Sequence, residues 1–129
     1  MNKSTNNFFE IITGLTEGAS KLLDDILTTY ITNYLKNGVT TSKIFILLST
    51  YMKDHKIKDQ KEAIEQLVRE LEELNCAKIS FHKQNDDSRY EFTQILTSGK
   101  VFINGNLMVD LAPAVCNLLD AMILNNIPI

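Results

Sequence analysis

A charged amphipathic helix that leads directly into two alternating segments constrains this fold most. Asp59 precedes it in a D-x-x-E pattern with Glu62, which places both carboxylates near the unpaired amides of a first helical turn. The apolar side chains that follow recur at helical spacing: Ala63, Ile64, Leu67, Val68, Leu71 and Leu74. Residues 78–93 then change to a period of two around a polar loop, which predicts an antiparallel hairpin.

The chain before Asp59 is predicted to form three more helices. A short one is expected at Phe8 to Leu15 and a second from Ser20, its N-cap, to Lys36. A third is expected from Thr41 to Asp54, with a broad apolar face that predicts a central place in the core.

A second hairpin is predicted at residues 100–109, because Asn104-Gly105 is a tight-turn pair between apolar flanks. Asp110 is then expected to cap a last helix from Leu111 to Asn125. The predicted fold class is α+β in one domain, residues 1–129. It comprises four N-terminal helices, a wing-like hairpin or meander, and a C-terminal hydrophobic helix.

The predicted C-terminal helix is apolar nearly all round, so it must be buried on most sides. It is too short to span a bilayer. Two placements stay open for this helix, in its own core or against a second copy, and a homodimer is the predicted state of the protein. The expected interface residues are Leu111, Val115, Leu118, Leu119, Met122 and Ile123.

The amino-acid composition is that of an ordinary globular protein and excludes few functions. The net charge is −3 and the pI is about 5.3, so no global field attracts the protein to phosphate. Cys76 and Cys116 lie in apolar patterns without a C-x-x-C pair, which predicts buried, inert thiols in a reducing cytoplasm. The cytoplasm of a bacterium or of a host cell is the expected location, and no signal peptide or membrane span is expected.

No motif indicates catalysis or metal binding. "GLTEGASK" fails the spacing of a phosphate loop, which needs a lysine directly after its second glycine. His55 and His82 have no cysteine or carboxylate at ligand spacing along the sequence. We therefore expect a protein that is not an enzyme and has no metal or cofactor.

The order of elements between residues 20 and 100 resembles a winged-helix domain. "LVRELEELNCAKISFHKQNDDSRYEFTQILTSGK" is similar in layout to the end of winged-helix regulators, where a leucine-bearing third helix leads into a two-stranded wing. In winged-helix domains the third helix enters the major groove of DNA, and the resemblance implies the same role for the corresponding helix here.

Charge argues against that use of the fourth predicted helix. Residues 59–74 hold two cations against six carboxylates, and such a face would be repelled by a duplex. The favoured hypothesis is a non-enzymatic regulator, adaptor or inhibitor that acts by protein–protein interaction. Its expected contact residues are Glu62, Glu65, Arg69, Glu72 and Glu73.

The alternative hypothesis is a nucleic-acid-binding transcriptional regulator with a winged-helix-like fold. The basic segment "KDHKIKDQK" could contact backbone phosphates from the loop before the fourth helix, with help from the predicted wing. The expected contact residues are Lys53, Lys56, Lys58, Lys83 and Arg89.

Overall fold

A computed structural model describes residues 10–11, 14–81 and 91–126 of the chain. The long N-terminal helix, α1, spans Glu17–Asn37 and confirms the helix predicted from Ser20 to Lys36. Thr16, not Ser20, is its N-cap, since the Thr16 hydroxyl accepts a hydrogen bond from the Ala19 amide at 3.3 Å. Gly38 ends it with a φ of 76°, a conformation that glycine adopts without strain.

The short helix predicted at Phe8 to Leu15 is wrong where the chain is described. Glu10–Ile11 form a strand, β1, that pairs antiparallel with residues 79 and 80. Phe8 and Phe9 lie outside the described residues. The described part therefore has three helices before its hairpins rather than the four expected.

The helix predicted from Thr41 to Asp54 is also wrong in its first half. Lys43–Ile46 form strand β2, and only Leu48–His55 form a helix, α2. Side chains from Lys43 to Leu48 alternate between exposed and buried, the period of a strand. The apolar face looked broad because two elements with different periods follow each other.

Helix α3 spans Gln60–Cys76 and begins where the sequence predicts. The Asp59 carboxylate accepts a hydrogen bond from the Glu62 amide at 3.0 Å, as expected of an N-cap. The helix buries a stripe of four side chains: Ala63, Leu67, Glu70 and Leu74. Its third member is charged, which the apolar pattern alone does not explain.

The strands form two antiparallel sheets of three strands each. In one, β3 (Lys78–Phe81) lies between β1 and β4 (Glu91–Gln94), and this confirms both strands predicted there. In the other, β6 (Leu107–Leu111) lies between β2 and β5 (Leu96–Val101).

The hairpin β5–β6, with its turn at residues 102–106, is the one that packs on the α2–α3 pair. Gly105 touches Leu48 and Ile64, and the Leu48 amide donates a hydrogen bond to Asn106 Oδ1 at 2.9 Å. We call residues 96–111 the wing hairpin. The sequence resemblance placed the wing at residues 78–93, but those strands pair with β1 in the other sheet.

The last helix, α4, spans Pro113–Asn126, and its start differs from the prediction. Asp110 does not cap it, because Asp110 belongs to β6 and lies opposite Lys43 of β2. Pro113 is the first helical residue, a position where its missing amide hydrogen costs nothing.

Five of the six residues expected at a dimer interface are buried in the chain's own core, and Leu118 is partly buried against it. The exposed apolar stripe on which that expectation depended is therefore not formed by these side chains. Dimer formation itself stays a prediction. The described residues give an α+β fold with four helices, and none of these helices is long and apolar enough to cross a membrane.

Candidate nucleic-acid interface

Helices α2 and α3 are joined by a tight turn of four residues, 56–59. Lys56 adopts the left-handed conformation there, with a φ of 57°, and the Ile57 amide donates to the Met52 carbonyl at 2.9 Å. A residue with a Cβ in this conformation costs energy, so the tertiary structure must hold the turn in place.

This turn presents lysines to solvent. Lys53, Lys56, Lys58 and, in the first turn of α3, Lys61 are all exposed. The structure thus groups three of the five residues predicted to contact nucleic acid. Lys83 and Arg89, the other two, lie outside the described residues.

The tip of the wing hairpin packs on Leu48, the first residue of α2, and on Ile64, in the second turn of α3. A Cβ built on Gly105 would approach Leu48 Cδ2 to 2.5 Å and Ile64 Cγ1 to 3.0 Å, so only glycine fits, and its φ of 90° also favours glycine. The contact fixes the tip against both helices of the pair.

Side chains at this tip project away from the core. Ile103 is fully exposed and Phe102 is 42% exposed. Lys100 Nζ lies 5.6 Å from the centroid of the Phe102 ring, within the range of a cation–π contact. A cation beside large apolar groups is suited to a phosphate backbone and the bases next to it.

The carboxylates of α3 are divided in a way that the charge count did not show. Glu70 is only 5% exposed, and Glu73 accepts hydrogen bonds from the Thr16 amide at 2.6 Å and the Thr16 hydroxyl at 2.9 Å. Asp59 is engaged as the N-cap. Of the residues predicted to contact a protein partner, Glu62, Glu65, Arg69 and Glu72 are exposed on this helix. With Lys61, the exposed outer face has two cations against three carboxylates, and Asp59 adds one more exposed carboxylate at the start of the helix.

Glu70 belongs to a buried polar network that the sequence analysis missed. Its Oε1 accepts a hydrogen bond from the Tyr51 hydroxyl at 2.8 Å, and its Oε2 accepts one from Gln66 Nε2 at 2.9 Å. His55 Nδ1 lies 3.8 Å from Glu70 Oε1, and the His55 ring stacks on Tyr51 with centroids 4.1 Å apart. The available signal was Glu70 itself, three residues after Leu67 and four before Leu74 in the apolar stripe.

This network holds the end of α2 just before the lysine turn. Asp25 of α1 approaches the same imidazole, while Lys21 Nζ donates a hydrogen bond to the Asp54 carbonyl. Burial, together with the bond to the Glu70 carboxylate, raises the pKa of the Tyr51 phenol, which therefore stays neutral and donates. Three helices thus meet at His55, and the turn is positioned by them.

The two cysteines depart from the expectation of buried thiols. Cys76 is exposed and Cys116 is partly buried, and both are free. Burial raises the pKa of the Cys116 thiol, which keeps it protonated and unreactive.

Solved structures of other proteins have a similar fold, although no similar sequence is found. No protein-family model and no curated protein matches the chain. The WH1 domain of MSBI1.176, a replication protein isolated from a multiple sclerosis patient, is similar with a TM-score of 0.59 and 12% identity, covering 84% of this chain and 83% of that one.

Two structures of domains 2 and 3 of RctB match with TM-scores of 0.54 and 0.53 and identities of 8% and 10%. Each match covers 86% of this chain but only 49% and 48% of the RctB chains, so this chain spans about half their length. These likenesses concern the fold, which is winged-helix-like, as the resemblance in the sequence indicated.

Proposed function

We propose that the chain is a winged-helix domain of a replication protein and that it binds duplex DNA. The observation that carries the proposal is the group of exposed lysines at the α2–α3 turn, on the helix pair that the tip of the wing hairpin contacts. The fold supports it, because it is similar to the WH1 domain of a replication protein. This ranks DNA binding above the protein-interaction hypothesis that the charge count favoured.

The turn lysines would supply the affinity. Lys56, Lys58 and Lys61 lie next to the N-terminus of α3, which the Asp59 carboxylate caps. Each lysine that meets a phosphate releases condensed counterions, which gives sequence-independent binding that weakens with salt.

The outer face of α3 would supply specificity. Lys61, Glu65 and Arg69 recur at a spacing of four residues and are all exposed, so they share one side of the helix. Arginine and lysine pair with guanine, and glutamate accepts a hydrogen bond from cytosine, so carboxylates on this face are compatible with a role in the major groove. The wing tip, with Ile103 exposed, would meet the adjacent minor groove as an apolar wedge.

The test is fluorescence anisotropy of a labelled duplex of about 20 base pairs, titrated with protein at several salt concentrations. Wild-type protein should bind at low salt, and the K58A and K61A variants should each lower the slope of log affinity against log salt by about one. K36A is the matched control, because Lys36 is an exposed lysine in the last turn of α1.

An equal effect of K36A and K58A would mean that binding is diffuse rather than located at the turn. Absence of binding at low salt would contradict the proposal. In that case the protein-interaction hypothesis would again be favoured. Its contact surface would be the exposed face of α3, with Glu62, Glu65, Arg69 and Glu72.

A further inference from the structure

An open cleft of about 420 Å³ lies at the end of the β2–β6–β5 sheet that is opposite the wing tip. Its lining includes Tyr30, Thr40, Ser42, Asp110, Asn117 and Asp120. Among the described residues that line it are two carboxylates and neither lysine nor arginine. The volume is in the range of small-ligand sites, and the charge is of one sign.

One of these carboxylates is held in a fixed orientation. The Tyr30 hydroxyl donates a hydrogen bond to Asp120 Oδ1 at 2.5 Å, and Tyr30 is itself fully buried. Burial, and then this hydrogen bond, raises the pKa of the Tyr30 phenol, so that it remains a donor to Asp120. Because Oδ1 accepts the Tyr30 hydrogen bond, a cation in the cavity would contact Asp120 through Oδ2.

Asp110 is the weaker of the two carboxylates. It lies directly opposite Lys43 in the β2–β6 pair, and this cation offsets part of its charge. Asp120 is consequently the main candidate for direct contact with a cationic group.

A second cavity of about 360 Å³ adjoins the first, and the two share Thr40 and Asp120. Its remaining walls are mostly apolar and include Tyr34, Val39, Ile123 and Leu124. Val39 is 67% exposed and Leu124 is 76% exposed. Together the two cavities form a groove, the Asp120 groove, with a polar anionic half and an apolar half.

We propose that the Asp120 groove binds a segment of a partner protein in which an arginine stands next to a large aliphatic side chain. The arginine would lie against Asp120 in the polar half, and the aliphatic side chain would cover Val39 and Leu124. Phosphate is disfavoured here because two carboxylates repel it, so this site is separate from the proposed DNA surface.

Arginine fits this half better than lysine does. Its planar group offers five N–H donors in a fixed fork, and Thr40, Ser42 and Asn117, whose side chains can accept hydrogen bonds, line the same half as the carboxylates. Because the groove lies at the other end of the sheet from the wing tip, DNA and the partner segment could be bound at the same time.

The test is a titration of the ¹⁵N-labelled full chain with acetyl-Arg-Leu-amide, followed by two-dimensional NMR. Acetyl-citrulline-Leu-amide, which keeps the shape but not the charge, is the matched ligand. We expect amide shifts concentrated at residues 38–42, 97 and 110–124, and binding weaker by up to about fivefold for the citrulline peptide.

Variants locate the contact. Asp120→Asn should weaken acetyl-Arg-Leu-amide by the same factor while keeping an acceptor for Tyr30, and Asp24→Asn, an exposed carboxylate on α1, should behave like the wild type. If Asp120→Asn does not fold, Asp110→Asn and the citrulline peptide decide the question. Equal binding of the two peptides, shifts on the α3 face, or no shifts at all would overturn the proposal. Failure of this site leaves DNA anisotropy unaffected, so the two proposals are tested separately.

Discussion

His55 Nε2 lies 3.6 Å from Asp25 Oδ2 and so links the end of α2 to the middle of α1. The nitrogen is buried and has no hydrogen-bond partner among the described residues, while Glu70 of α3 approaches the other side of the ring. A buried polar atom of this kind is costly unless a nearby charge compensates it. Asp25 is the carboxylate that faces this nitrogen, and the lysine turn begins at the next residue.

Replacement of His55 by alanine should destabilise the fold by about 1–3 kcal/mol, because it removes the stack on Tyr51 and leaves a gap beside the buried Glu70 carboxylate. Lys53→Ala, on the exposed side of the same helix, should change stability by less than about 0.5 kcal/mol. Urea denaturation followed by circular dichroism measures both. A neutral effect of His55→Ala would show that the network contributes nothing to stability.

Gly18→Ala should destabilise α1, although alanine usually favours a helix by up to about 1 kcal/mol. The reason is steric, since a Cβ at Gly18 would occupy the position of the Glu70 carboxylate, which the Tyr51 and Gln66 hydrogen bonds hold in place. Thr28→Ala, at an exposed position of the same helix, is the control and should be neutral or stabilising. Thermal unfolding compares the two. The Gly18→Ala penalty should shrink in a Glu70→Ala background, and an undiminished penalty there would contradict the steric explanation.

Asp25 predicts a pH dependence of stability. Burial, followed by the charge of Asp54, raises its pKa above the ordinary value of 3.8, and His55 opposes this only in part. The folded state therefore binds the Asp25 proton more tightly than the unfolded state does. The protonated carboxyl contributes stability below the pKa of Asp25 in the unfolded state, and this stability is lost as pH rises through its pKa in the folded state.

The free energy of unfolding of Asp25→Asn, relative to the wild type, should consequently increase as pH rises above 3.8, the ordinary value that the folded-state pKa exceeds. Asp24→Asn, one residue away on the exposed side, is the matched control. Chemical denaturation at each pH gives the comparison. Equal trends in the two variants would contradict this assignment.

Leu67→Ala should cost about 2–5 kcal/mol, because Leu67 is fully buried in the stripe of α3. Leu71→Ala should cost less, since Leu71 is only partly buried. Glu65→Ala and Glu72→Ala should stay within about 0.5 kcal/mol. Equilibrium denaturation orders the four variants, and a large loss for either glutamate would mean that the outer face of α3 is misassigned.

Ile103→Ser should weaken DNA binding with little change in stability, because the side chain is fully exposed at the wing tip and contributes little to the core. Leu35→Ser is the control: Leu35 is also exposed but lies near the end of α1. Anisotropy with one duplex and a thermal melt of each variant separate affinity from folding. Equal losses of affinity in both variants would exclude a specific role for the wing tip.

Local patterns in the sequence determined several elements on their own. The Asp59 cap and the apolar stripe of α3 follow from helical geometry within a few residues, and so does the turn at Asn104-Gly105 between β5 and β6. Each of these depends on neighbours along the chain. That is why the sequence predicted them and, with them, the winged-helix likeness and the lysine turn.

Only the tertiary structure decided which strands pair and which charges are exposed. Lys43–Ile46 became a strand because β6 offered it a partner, and the wing became the hairpin that Leu48 and Ile64 contact. Glu70 can be buried because both of its carboxylate oxygens accept hydrogen bonds. Tyr51, on helix α2, donates one, and Gln66, one turn earlier on α3, donates the other. Strand pairing and the burial of charged groups depend on residues that are far apart in the sequence. A pattern of neighbouring residues therefore cannot predict them.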